Sequence, residues 1–179
     1  MHDGIDTSLT TIVDTLYAQN IIPIRIKPND KAPIDADWQT GTVIPDKDTL
    51  IKELQDGTVG LGVLCGAQSG IIAVDIDTDN EQLFQVVEAT LGKSPCIKVG
   101  NRGRTYFYLY NNEHYEKIKA SLGTVDILSN NPTTLYGRNC VIPPSIHPSK
   151  KPYRDWETDR KSTRLNSSHS AKSRMPSSA

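Results

Sequence analysis

The run Gly70-Ile71-Ile72-Ala73-Val74-Asp75-Ile76-Asp77 constrains the chain more than any other segment. Its apolar residues read as a buried strand, and the strand ends in acids at alternate positions. Side chains two apart on a strand share a face. Asp75 and Asp77 therefore point the same way, about 7 Å apart at the Cα level. Two hard anionic oxygens at a strand end suit Mg²⁺ or Mn²⁺; two solvated turn carboxylates would give the same pattern. Asp79 reads as the cap of a following helix. An EF-hand fits poorly, because its loop would need Gly at Asn80 and Glu at Val86. The glycines at 60, 62 and 66 lack the spacing and the following helix of a dinucleotide fingerprint.

Periodicity and punctuation place the other elements around this strand. Asp6 or Thr7 caps a helix over 8–19, with Leu9, Ile12, Val13, Leu16 and Tyr17 on one face. Residues 21–26 form a short strand interrupted by Pro23, hence an edge strand. Pro45-Asp46 opens a helix to about residue 55. Strands at 58–64 and 70–76 flank a turn at 66–69, and Asp79 or Asn80 caps a helix that Gly92 stops. Strands at 96–99 and 105–110 follow, then a short helix at 112–120, strands at 124–128 and 139–142, and a proline-rich segment at 143–152. Helices and strands mix without a regular βαβ rhythm, so the fold class is α+β rather than a doubly wound sheet.

A length of 179 residues suits one domain. No stretch approaches the roughly 18 apolar residues of a membrane span, and the first ten residues lack the features of a secretory signal. Cys65, Cys96 and Cys140 are widely spaced with no C-x-x-C pair, which points to a reducing cytoplasm rather than a disulfide scaffold or a zinc knuckle. Composition changes abruptly after Glu157. Residues 159–179 are rich in Ser and basic residues and carry only Leu165 and Met175 as large apolar groups, so they are expected to be disordered. The same run back-translates without strain to a common short-read sequencing adapter. On that reading the domain occupies residues 1–158 and the natural protein is cut short near Thr158. Within the remainder, residues 1–91 hold fifteen acidic and five basic side chains, whereas 92–155 hold four and ten. The second half can therefore offer an anionic ligand an electropositive wall, although ordinary surface variation gives such asymmetry too.

Three further segments carry candidate chemistry. Asp126 lies in the apolar run Val125-Asp126-Ile127-Leu128, where a carboxylate is either a turn cap or buried with a partner. A metal shared with Asp75 and Asp77 would be such a partner. Lys98, Arg102 and Arg104 stand beside Gly100 and Gly103, where guanidinium groups could grip phosphate or simply decorate a β-turn. Ser145 and His147 lie between prolines that fix their loop.

Taken in order, these features resemble the N-terminal domain of bifunctional DNA primase–polymerases (Prim-Pol), in the archaeo-eukaryotic primase superfamily. The resemblance rests on Lys31-Ala32-Pro33 with Trp38, Gly60-Leu61-Gly62-Val63 with Gly66 and Ser69-Gly70, the strand into Asp75-Ile76-Asp77, Val125-Asp126, and Pro143-Pro144-Ser145-Ile146-His147-Pro148 with Tyr153 and Trp156. It implies an RRM-like catalytic core preceded by a small N-terminal α/β unit. It implies primer synthesis or extension from nucleoside triphosphates on a single-stranded DNA template, with Mg²⁺ or Mn²⁺ held by Asp75, Asp77 and Asp126. It places Lys98, Arg102, Arg104, Thr105, Ser145 and His147 at the nucleotide. A phosphate-contacting His is common where this chain has Thr105, which can donate one hydrogen bond but carries no charge; Arg104, Arg102 or Lys98 would then supply the cation. Members often occur in phages, plasmids and mobile elements and continue into a helicase-like region, which is expected to be missing from this sequence. A catalytically weak nucleic-acid-binding module is the alternative; a nucleotide-sugar transferase leaves Asp126 and the PPSIHP segment without an account, and a metal nuclease is a similarly minor reading.

Overall fold

Side-chain caps decide where two of the helices begin. In the computed structural model, which describes residues 7–145, 148 and 154–155, α2 (Lys47–Gln55) starts where the Asp46 carboxylate accepts a hydrogen bond from the Thr49 N–H at 3.0 Å. Helix α3 (Glu81–Leu91) starts where the Asn80 side chain accepts from the Leu83 N–H at 3.1 Å, and Gly92 ends it. Helix α1 (Thr7–Ala18) precedes both. The strands are β1 (Pro23–Ile26), β2 (Gly60–Cys65), β3 (Ile71–Ile76), β4 (Cys96–Val99), β5 (Arg104–Leu109), β6 (Glu116–Ala120), β7 (Gly123–Leu128), β8 (Arg138–Ile142) and β9 (Arg154–Asp155). No helix among the described residues is long and apolar enough to cross a membrane.

These strands form two antiparallel sheets, β1-β2-β8 and β6-β7-β3-β5-β4-β9. The α+β class read from the sequence is the class observed. Strand β1 lies at an edge, as Pro23 requires. At the centre of the larger sheet, β3 is apolar at every position but Asp75 because both of its faces are covered. Ile72, Val74 and Ile76 pack under Leu83, Phe84 and Val87 of α3, with Tyr106 and Val125 beside them. On the other face Ala73 meets a cluster from α1, α2, β2 and β8 that includes Val13, Leu50, Leu61, Val63, Cys65 and Cys140, with Phe107 and Leu128 alongside. The outer face of the small sheet is closed by Ile24, Ile26, Leu64 and Val141 under Trp38. Each such fully buried aliphatic side chain contributes about 1.5–3 kcal/mol.

Two expectations change. The segment 112–120, read as a short helix, is β6 over Glu116–Ala120. Its residues Glu-Lys-Ile-Lys-Ala favour a helix locally, but a single isoleucine gives a helix no stripe to bury, whereas pairing with β7 satisfies the backbone and leaves the side chains exposed. The small α/β unit is also not N-terminal alone, because its third strand, β8, returns from beyond the larger sheet. The tail 159–179 lies outside the described residues.

Candidate active site

Register brings the sequence candidates together. Asp75 on β3 lies directly opposite Asp126 on β7 and directly opposite Thr105 on β5. Lys117 on β6 faces Asp126, and Lys98 on β4 faces Thr105. Partners directly opposite in a sheet share a face. One cross-strand row therefore runs Lys117, Asp126, Asp75, Thr105, Lys98, on the face opposite α3. Asp126 lies on the same face as Asp75 although fifty-one residues separate them in the chain.

The row has an electrostatic fault at its centre. Like charges directly opposite on neighbouring strands are destabilising. Each acid is partly compensated from outside: the Thr105 hydroxyl donates to Asp75, and the Lys117 ammonium lies 3.3 Å from Asp126 Oδ2. Asp126 Oδ1 is buried and has no hydrogen-bond partner. A buried carboxylate oxygen left unsatisfied costs free energy that a cation between the two acids would recover.

A cleft of about 470 Å³ opens over the Asp75, Thr105 and Lys98 end of this row and is lined also by Asp77, Arg102 and Asn139, among others; Asp126 and Lys117 are not part of its lining. Asp77 stands one residue past β3 and is held by Arg102 at 3.1 Å. Arg102 sits in the turn between β4 and β5, which is pinned against the end of β3. Gly103 has φ +77°, and a Cβ there would lie 1.7 Å from the Ile76 carbonyl oxygen. The Gly103 N–H donates to Asp79 Oδ1 at 2.8 Å. Asp79 therefore fastens this turn, and Asn80 alone caps α3. Lys98 is buried; its ammonium donates to the Val141 carbonyl at 3.0 Å and approaches Cys140 Sγ at 3.5 Å. Burial raises the Cys140 thiol pKa, which keeps it protonated beside that ammonium.

Other candidates fall elsewhere. Arg104 adjoins the cleft, but alternation turns its side chain to the α3 face, where the guanidinium lies 4.1 Å over the Phe84 ring and 3.6 Å from Glu81. Ser145 is buried under β2, accepting from the Leu61 N–H at 2.6 Å and donating to the Leu61 carbonyl at 2.8 Å. Its hydroxyl is consumed by that strand, and it does not line the cleft. His147 lies outside the described residues. Two lining residues, Lys31 and Asn139, had no assigned role in the sequence reading. The Asn139 amide donates to the Lys31 carbonyl at 3.1 Å, which fixes the loop that brings Lys31 in. Lys31 was visible only as part of Lys-Ala-Pro, and Asn139 gave no signal.

Among the described residues no three histidine, cysteine or acidic side chains gather closely enough to hold an ion. Of the three expected carboxylates, Asp77 is drawn toward Arg102, and Asp75 and Asp126 face each other across the strand pair. That pair, with its orphaned oxygen and all-oxygen donors, fits a hard divalent cation.

No curated protein matches the sequence. The family described as bifunctional DNA primase/polymerase, N-terminal, matches residues 15–168, a span that takes in both sheets, the acid row and the first ten residues of the serine-rich tail. With most of its length matched and both facing acids inside the match, the chain belongs to the bifunctional DNA primase/polymerase N-terminal (Prim-Pol) family.

Proposed function

We propose that this domain joins nucleotides to a DNA strand on a single-stranded template, drawing on nucleoside triphosphates and Mg²⁺ or Mn²⁺, in the replication of a phage, plasmid or other mobile element. The observation that carries the reading is the facing pair Asp75 and Asp126, with one buried oxygen unpartnered, of which Asp75 lines a cleft walled by cations. Asp75 and Asp126 would hold the divalent ion, which when bound neutralises phosphate charge and activates an attacking hydroxyl. Thr105 orients the Asp75 carboxylate through its hydroxyl. Lys98, Lys31 and Arg102 present positive charge where a triphosphate would lie. Arg102 reaches phosphate by leaving Asp77, an exposed pair of the kind that contributes about 0–1 kcal/mol.

The test is extension of a primed single-stranded template with each metal in turn. The parent should extend; Asp75→Asn and Asp126→Asn should each lower the rate by at least about 100-fold, as expected when a charged ligand acting in the transition state is lost. Equal rates in parent and variants would end the proposal. A second reading, a nucleic-acid-binding module with little catalysis, is favoured by Thr105 at the position of the expected His. It predicts template binding without extension in the parent.

A further inference from the structure

The acids divide their face of the sheet into two basic flanks. The cleft side holds Lys98, Lys31 and Arg102. The other side is the edge strand β6, whose residues are all exposed. Lys117 and Lys119 stand at alternate positions of β6, so they share one face, and the register of Lys117 with Asp126 makes it the face of the acids; Tyr115 directly precedes the strand. Arg138 of β8 joins them, its guanidinium 4.0 Å above the Tyr115 ring. Glu116 pairs with Ile127 and so turns to the opposite face. Among the described residues Lys119 and Arg138 have no ion-pair partner, while Lys117 bridges to Asp126.

We infer that this β6 flank is the track for a DNA strand, distinct from the wall that faces a nucleotide. Lys117 and Lys119 at strand spacing, about 6–7 Å between alternate residues, match the repeat of phosphates along an extended single strand. An arginine stacked on a tyrosine presents a flat face on which a base can lie. Lys117, already paired with Asp126, makes the track continuous with the acid pair, so a strand lying on it would place its end at the cleft. The identity of the strand as primer or template rests on the nucleotidyl-transfer reading; the binding surface itself does not.

The experiment is fluorescence anisotropy of a labelled single-stranded oligonucleotide against the whole chain, without metal or nucleotide, over a range of salt. Lys119→Glu changes an exposed residue and should fold normally. It should weaken DNA binding about tenfold and make the dependence of log affinity on log salt shallower by about one. Its affinity for a nucleoside triphosphate should equal the parent's. Arg138→Ala should weaken DNA binding as well, and Lys52→Glu, the same charge change on α2, should leave it within about twofold. Unchanged DNA binding in Lys119→Glu, or an equal loss in Lys52→Glu, would overturn the inference. Primer extension reports separately: an inactive parent with the predicted DNA-binding pattern removes the catalytic reading and leaves the track, and an active parent with a normal Lys119→Glu removes the track alone.

Discussion

At the scale of single residues, the pairing of Asp75 with Asp126 makes stability depend on metal. Without a cation the two carboxylates repel each other across the strand pair. A ligand that binds only the folded state stabilises it by about 2.7 kcal/mol at 100 times its dissociation constant. Saturating Mn²⁺ should therefore raise the melting temperature of the parent by several degrees. In Asp126→Asn the metal-free protein should melt no lower than the parent, and the Mn²⁺ shift should vanish. A thermal melt with and without metal checks both. Lys98 and Arg104 separate in the same way. Lys98 is on the face of Thr105 and Asp75, whereas Arg104 lies against Phe84. A hydrogen bond to a charged group contributes about 1.5–3 kcal/mol. Lys98→Gln should thus weaken nucleoside triphosphate binding by at least about tenfold, and Arg104→Gln should leave that affinity near the parent's while lowering thermal stability. Equal nucleotide affinities would place the triphosphate away from β4.

At the scale of elements, Arg25 on β1 ties that strand to the following loop through Asp35 and to α2 through Glu53 at 2.9 Å. Its hydrogen bonds hold the Asp35 pKa below the ordinary carboxylate value of 3.8. A depressed folded-state pKa contributes stability that is present above the unfolded value and is lost as pH falls through the folded one. The parent should lose stability as pH drops below about 4, and Asp35→Asn should be less stable near neutrality and show a flatter acid limb. Chemical denaturation across pH reads both. The sequence announces those elements whose signals are local: Asn80 and Gly92 bracket α3, and the apolar run of β3 declares a strand covered on both sides. It conceals β6, because the choice between helix and edge strand there depends on β7 offering a free edge. The acids of the site were legible because a carboxylate inside an apolar run needs a reason. The side toward which Arg104 points was not, since it follows from the register of β5 against β3, and Asn139 enters the cleft only through the packing of two sheets.

At the scale of the whole molecule, the cleft lies on a seam: its base belongs to the larger sheet and one wall, through Asn139, Cys140 and Val141, to the smaller. The thiols report on that seam. Cys65 and Cys140 are buried, with pKa values raised by loss of solvent, and Cys96 is exposed. A thiol-reactive dye at pH 8 should label Cys96 rapidly and the other two only as the sheets part, at a rate that denaturant accelerates. Fast labelling of all three in native buffer would mean that the seam opens freely. The late return of β8 has a further consequence, for synthesis on the ribosome. Strand β2 ends at Cys65, but its second partner, β8, begins only at Arg138, after every strand of the acid row has been made. The first sheet must wait, half built, while the second assembles. A nascent chain halted at residue 128 should leave α1 to β2 open to protease, and one extended to residue 145 and clear of the exit tunnel should protect them, so the wall of the cleft that β8 supplies closes only after the strands from β1 to β7 have been made.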